Sequence, residues 1–210
     1  MEQYKIITFS LFDSHKHGDI LEKFFQLRYQ GFVVEEKYDT PTYNDTEFDQ
    51  YDNPFARYIA ILNNEGGIVA CARVNRTDSP YMAKDCCNHL IPEKFLPNDK
   101  HAYEVTRVYT NSKLPIRQRS IIARSIVVAV YFTLLNLKAT GACFISDHSL
   151  FLITEKLGMN PKSVARLNLP NFPNIHFVHV DVNNDDAQNV ARNLLEMTGF
   201  DILEHFAPLD

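Results

Sequence analysis

Arg28 and Phe32 stand four residues apart, Tyr38 follows ten residues after Arg28, and the string Glu47-Phe48-Asp49-Gln50-Tyr51-Asp52 comes close behind. One cation, the rings of Phe32 and Tyr38 and the three carboxylates of the string are thereby concentrated within 25 residues. Charge runs are usually solvated faces, so this segment alone reads first as an acidic loop beside a helix with an ordinary surface arginine. Arg73 adds a second guanidinium, at the end of a β-rich run, and Glu104 and Arg107 place a carboxylate and a third guanidinium on the next one. Being three apart, Glu104 and Arg107 should point to opposite faces of a regular strand, unless a bulge re-aims one of them.

From Val105 to Ser146 there is no acidic residue, whereas Arg107, Lys113, Arg117, Arg119, Arg124 and Lys138 supply six positive charges. Arg117 and Arg119 fall at the expected start of a long helix, where side-chain charge and free backbone N–H groups converge in a way suited to a phosphate. His176 and His179 are three apart in an expected strand and face opposite ways, so no metal site is expected there. Cys143, in an apolar strand, reads as core rather than nucleophile. There is no Gly-rich phosphate loop and no serine nucleophile elbow.

The elements that must position these groups follow from periodicity. A strand is expected at Ile6–Leu11, then a helix from Asp19 to Val33, whose apolar residues Ile20, Leu21, Phe24, Phe25, Leu27 and Phe32 recur at helical spacing. Residues 35–52 carry seven acidic residues against one lysine and read as a long loop. Arg57–Leu62 and Ile68–Val74 form a hairpin across Asn63-Asn64-Glu65-Gly66-Gly67. A short helix near Met82–Leu90, a strand Tyr103–Thr110, a helix Gln118–Lys138 and a strand Ala142–Ser146 make the centre. A helix Ser149–Leu157 capped by Ser149, a strand Ile175–Val182 and a helix Asp185–Met197 ended by Gly199 complete it. The expectation is a single α/β domain over residues 1–210, with a mixed central β-sheet flanked by helices.

At 210 residues, 45% hydrophobic and 22% charged, the chain can fill a core, which excludes disordered, collagen-like and coiled-coil classes. A net charge of −5 gives no bulk attraction to nucleic acid or to a membrane surface, and neither is expected as a partner. Cys71, Cys86, Cys87 and Cys143 lack metal-ligand spacing, and the start lacks an export-signal pattern, so a cytoplasmic setting is expected. The apolar run Ile126–Leu135 is about half the roughly 20 residues a membrane span needs, and reads as a buried helix.

Taken together, Arg28, Phe32, the aromatic Tyr38, the Glu-x-Asp-x-x-Asp string from Glu47, Arg73, Thr77, Pro80-Tyr81-Met82 and Glu104-x-Thr-Arg107 resemble the acyl-homoserine-lactone synthases. These are quorum-sensing signal (autoinducer) synthases whose fold belongs to the N-acetyltransferase superfamily. The resemblance runs in order from about residue 24 to 110. Where the family usually has Trp, Pro, Ser and Gly, this chain has Tyr38, Arg76, Thr106 and Ala70.

The resemblance implies an acyltransferase that moves an acyl group from acyl carrier protein or coenzyme A to the amine of S-adenosylmethionine, then closes a lactone and releases methylthioadenosine. Both compounds enter as substrates, no cofactor is held permanently, and acyl carrier protein is the one macromolecular partner implied. Carried over residue by residue, Arg28, Phe32, Tyr38, Asp49, Asp52 and Arg73 would bind S-adenosylmethionine, with Glu104 and Arg107 catalytic. Glu104 is the candidate base that takes the amine's proton. Arg117 and Arg119 would receive the donor's phosphate, and Cys143 and Ser146 would border an acyl-chain slot. Residues 1–110 would form the acceptor half and 111–210 the donor half. Two alternatives stay open: an acyltransferase of the same superfamily acting on another amine or amino acid, and a non-catalytic descendant serving as a binding module. Asp52 and Arg107 are expected on a polar pocket wall, so that their replacement would stop turnover without unfolding the chain.

Overall fold

The computed structural model describes residues 4–169 and 172–206. In chain order its strands are β1 (Lys5–Phe9), β2 (Thr42–Tyr43), β3 (Thr46–Glu47), β4 (Arg57–Leu62), β5 (Ile68–Arg76), β6 (Ala102–Thr110), β7 (Gly141–Ser146), β8 (Lys162–Leu169) and β9 (Phe172–Asp181). The helices are α1 (Ile20–Arg28), α2 (Met82–Cys87), α3 (Ile116–Asn136), α4 (His148–Lys156) and α5 (Asn184–Thr198). Seven strands form one sheet in the order β1-β4-β5-β6-β7-β9-β8. Every neighbouring pair is antiparallel except β6 and β7, which are parallel and joined through α3.

Period-two alternation sorts the sheet's side chains to two faces. Ala70, Ala72 and Val74 of β5, with Val178 and Val180 of β9, pack against Ile122, Ile126 and Val130 of α3 and Val190 and Leu194 of α5. On the other face Phe9, Phe24, Tyr58 and Cys71 form a cluster under α1, and Cys143 and Phe177 pack with Tyr81 and Ala83 at α2. Each fully buried large apolar side chain contributes about 1.5–3 kcal/mol relative to exposure. The 21-residue α3 has the length and apolarity of a membrane span, yet its middle is the core of the first face, with Ile126, Val128 and Ala129 fully buried. The expectation of a buried helix there holds.

Two irregularities in the sheet shape the surface around Arg107 and Glu104. Between the pairs Cys71↔Tyr109 and Arg73↔Thr106, one residue of β5 opposes two of β6, which is a β-bulge. Arg107 sits in that bulge with φ +55°, a left-handed conformation unusual for arginine. The second irregularity is that β6 and β7 pair only at Ala102↔Gly141, Tyr103↔Ala142 and Glu104↔Cys143. Beyond Glu104 the two strands part, and a gap opens through the sheet.

Several elements differ from the sequence expectation. The first helix ends at Arg28, and Tyr29–Glu35 widens into a π-helical turn. The acidic stretch is no structureless loop: β2 and β3 form a small hairpin whose turn residues Asn44 and Asp45 both adopt positive φ, as a type I′ turn requires. The cap of α4 is Asp147, which accepts from the Ser149 and Leu150 amides, so Ser149 is the second residue of the helix rather than its cap. Strand β8 escaped notice because it is an edge strand. Its Lys162 and Arg166 break the apolar alternation, as protected edges commonly do.

Candidate active site

Three guanidiniums and three carboxylates interlock on the α1 face of β5 and β6. Arg28 projects from the last residue of α1, buried, and its Nε donates to Glu47 Oε2 at 2.6 Å. Its two terminal nitrogens reach the two oxygens of Asp52 at 2.6 and 2.9 Å. Arg73, also fully buried, donates to Asp49 at 2.5 and 3.1 Å, lies 2.9 Å from Asp52, and sends Nε to Thr106 Oγ1 at 3.0 Å. Arg107 donates through Nη2 to Glu47 at 2.8 Å and to Asp49 at 2.9 Å. Each charge meets at least two opposite ones, so desolvation is offset by short, bidentate pairs. Burial works against the charge of Asp52, yet Arg73 and Arg28 outweigh it and hold its carboxyl below the usual range.

The local reasons are specific. The β2–β3 hairpin delivers Glu47 to Arg28, and the turn after it lets Asp49 and Asp52 cap one another through the Asp49 amide, which donates to Asp52 at 2.8 Å. The bulge rotates Arg107 to the same face as Arg73 and Glu104, the re-aiming on which their joint use depends. Aromatic rings flank the network. Phe25 lies 5.1 Å from the Arg28 guanidinium, and Phe32 lies 5.2 Å from that of Arg107. Phe32 in turn packs between Tyr38 and Tyr109, each at 5.9 Å between ring centres.

Glu104 stands directly across from Asn75, on the rim where β6 leaves β7. Its carboxyl is buried and accepts the Met82 amide at 2.9 Å and the Ala83 amide at 2.7 Å, the first two of α2. Burial pushes its pKa up to about 7, against the pull of those two amides and of Arg73. A carboxyl tuned near neutrality can exchange a proton at working pH.

Through the gap, on the α3 face, lies an apolar cavity of about 40 Å³ bordered by Val105 and Val108 of β6, Phe144 of β7 and Val130 and Leu134 of α3. Ser146 is buried near the end of β7 and donates to Asp147 O, and Cys143 faces α2 on the opposite side of the sheet; neither lines the cavity. Arg117 and Arg119 are exposed on the first turn of α3, which follows Pro115 and has no side-chain cap. The first amides of α3 therefore stay open toward an anion.

The structure thus brings together Arg28, Arg73, Arg107, Asp49 and Asp52, with Phe32 and Tyr38 beside them and Glu104 on the neighbouring rim. It also corrects one expectation: Asp52 is no pocket-wall residue but is buried beneath the network. Glu47 escaped selection among the acidic residues around it, although it bridges Arg28 and Arg107. Its alternation with Asp49 in the string was the available signal. Glu35 was missed too. It accepts Tyr109 Oη at 2.8 Å and Ser112 Oγ at 2.6 Å, tying the π-helical turn to the β6–α3 connection. Gly31 permits this, since a Cβ there would stand 2.6 Å from the Tyr109 ring.

Against known proteins, the family model described as autoinducer synthase matches residues 12–190. An acyl-homoserine-lactone synthase of Vibrio anguillarum is 34% identical over 82 residues, covering 39% of this chain and 42% of that protein. One from Pseudomonas aeruginosa is 36% identical over 83 residues, covering 38% and 40%. These matches span about two fifths of those relatives' length. In three dimensions the chain resembles a CoA-dependent acyl-homoserine lactone synthase, BjaI, solved with MTA, with TM-score 0.81 at 21% identity over 94% of this chain and 90% of that one. That likeness is one of fold.

Proposed function

The chain belongs to the autoinducer synthase family, and from that membership we propose that it is an acyl-homoserine-lactone synthase acting in quorum-sensing signal production in the cytoplasm. It transfers an acyl group from a carrier-protein or coenzyme A thioester to the amine of S-adenosylmethionine, then closes the lactone with release of methylthioadenosine. The observation that carries this reading is the gap between β6 and β7. It opens immediately beyond Glu104, with a charged, aromatic-walled face on one side of the sheet and an apolar cavity on the other. An amine acceptor of mixed charge fits the first side and an acyl chain the second.

Within this reading residues 1–110 supply the acceptor half and 111–210 the donor half of one acyltransferase domain. Phe32 and Tyr38 offer ring faces to the sulfonium and adenine. Arg107, the least buried of the three guanidiniums with 7% of its side chain exposed, is the one assigned to the substrate carboxylate. Arg28, Arg73, Asp49 and Asp52 hold that edge rigid and balance its charge. Glu104, directly or through one water, takes the proton from the ammonium so that the amine attacks the thioester carbon. Backbone N–H groups of β6 beyond Arg107, left without a strand partner on the gap side, would stabilise the oxyanion. Collapse expels the thiol. The carboxylate of the acylated product, held near the carbon bonded to sulfur, then displaces methylthioadenosine by proximity. Arg117, Arg119 and the first turn of α3 receive the donor's phosphate, and the same basic surface suits an acidic carrier protein.

The test is mass spectrometry of products from the protein incubated with S-adenosylmethionine and acyl thioesters on both carriers. Methylthioadenosine together with an N-acyl homoserine lactone is expected. An acylated amine without methylthioadenosine would instead mark an acyltransferase for another acceptor.

A further inference from the structure

The cavity behind the gap has a chemical character of its own. Apart from two hydroxyls, its lining is hydrocarbon and thioether. Those two are Tyr131 and Thr154, and both hydroxyl hydrogens are committed: Tyr131 Oη donates to Asn183 O at 3.0 Å, and Thr154 Oγ1 donates to Phe151 O at 2.7 Å. An oxygen on the incoming chain would leave water and find no side-chain donor in this lining. Space is limited as well, because about 40 Å³ holds roughly three water-sized groups.

From these walls we infer that the site selects a short, unsubstituted acyl group of about four to six carbons and rejects its 3-oxo counterpart. The inference rests on the acyl-transfer reading above. With the thioester carbon in the gap beside the bulge, the third carbon lies two bonds further in, between Val105 and Val108 on one side and Phe144 on the other. A carbonyl placed there is buried without a side-chain partner. A hydrophobic wall of this kind discriminates by about 10- to 100-fold. Saturated carbons along the same path contact only apolar atoms, and chains beyond about six carbons must push Val130, Leu134 or Phe144 out of packed positions.

The experiment supplies the protein with S-adenosylmethionine and an equimolar pair of hexanoyl and 3-oxohexanoyl thioesters on one carrier, and reads the ratio of the two lactones by mass spectrometry. A ratio of at least about 10 in favour of the unsubstituted product is expected, and an equal or reversed ratio overturns the selection. A parallel ladder of butanoyl, hexanoyl, octanoyl and dodecanoyl donors should show kcat/KM falling beyond six carbons; undiminished use of dodecanoyl overturns the length limit. Val108→Thr and, separately, Val105→Thr each place a hydroxyl in the wall at nearly constant volume. Either one, if folded, should move the ratio toward the oxo product by several-fold, and a ratio unmoved in both puts the third carbon elsewhere. Absence of any lactone from every donor overturns the acyl-transfer reading itself, a result distinct from a wrong ratio.

Discussion

Replacing Glu104 by Gln separates the two things its burial does. The carboxyl has an ordinary pKa of 4.5 and is pushed up to about 7 in the folded chain. The folded state therefore holds its proton more tightly than the unfolded state between those values. Its contribution is fully present below about pH 4.5 and is lost as pH rises through about 7. At about 1.4 kcal/mol per pH unit, the ionised carboxylate costs the fold about 3 kcal/mol at pH 8. Glutamine removes that charge and keeps the shape, but it turns its NH₂ toward one of the two α2 amides, at a cost of about 1–2 kcal/mol. Glu104→Gln should thus be more stable than the parent by about 1–2 kcal/mol at pH 8 and less stable by up to about 1 kcal/mol at pH 5. Urea unfolding at both pH values reads this crossing directly. Methylthioadenosine release by the same variant should be nearly abolished, and the parent's kcat/KM should fall tenfold per pH unit below about 7. Parallel stability curves would show an ordinary carboxyl. Turnover within about threefold of the parent would remove Glu104 from the proton transfer.

Asp52→Asn should lower stability by about 3–5 kcal/mol, seen as a thermal midpoint lower by about 10 °C, because Arg28 and Arg73 lose a shared buried counter-charge; an unchanged midpoint would mean that the network is solvated. A thiol reagent on the native chain should modify exposed Cys86 first and half-buried Cys87 more slowly, and should reach Cys71 and Cys143 only on unfolding. Burial pushes the Cys71 thiol up to about 12 and that of Cys143 well above its ordinary value, so neither forms a thiolate readily. Gly31→Ala should cost about 1–3 kcal/mol in a urea titration through collision with the Tyr109 ring, and should raise the KM for S-adenosylmethionine by disturbing Phe32.

Much was legible in the residues taken in order. Apolar periodicity placed β4, β5, β6, α3 and α5 within a few residues of their ends, because each buries one face or stripe against the core. Gly199, in the left-handed conformation at φ +72°, ends α5 as its position after the last apolar turn implied. The charged residues that matter were also visible as types, since six buried charges of both signs are costly unless they meet one another.

Their meeting was not legible. Sequence spacing puts Glu104 and Arg107 on opposite faces, and only the extra residue opposite Ala72, with Arg107 in a left-handed turn, brings them to one side. A bulge is a property of two strands in register, so neither strand announces it alone. Asp52 read as a pocket-wall residue for the same reason: whether a carboxylate faces solvent or two arginines depends on α1, β5 and the β2–β3 hairpin converging on it. The gap beyond Glu104 arises where two parallel strands stop pairing, and the apolar cavity is lined from β6, β7, β9, α3 and α4 together. Propensity and periodicity are local, so residue order settles the elements, their apolar faces and the kinds of charge the site holds. Which charges pair, how far Glu104 is desolvated, and how large and how apolar the cavity is depend on long-range contacts, and so come only with the folded chain.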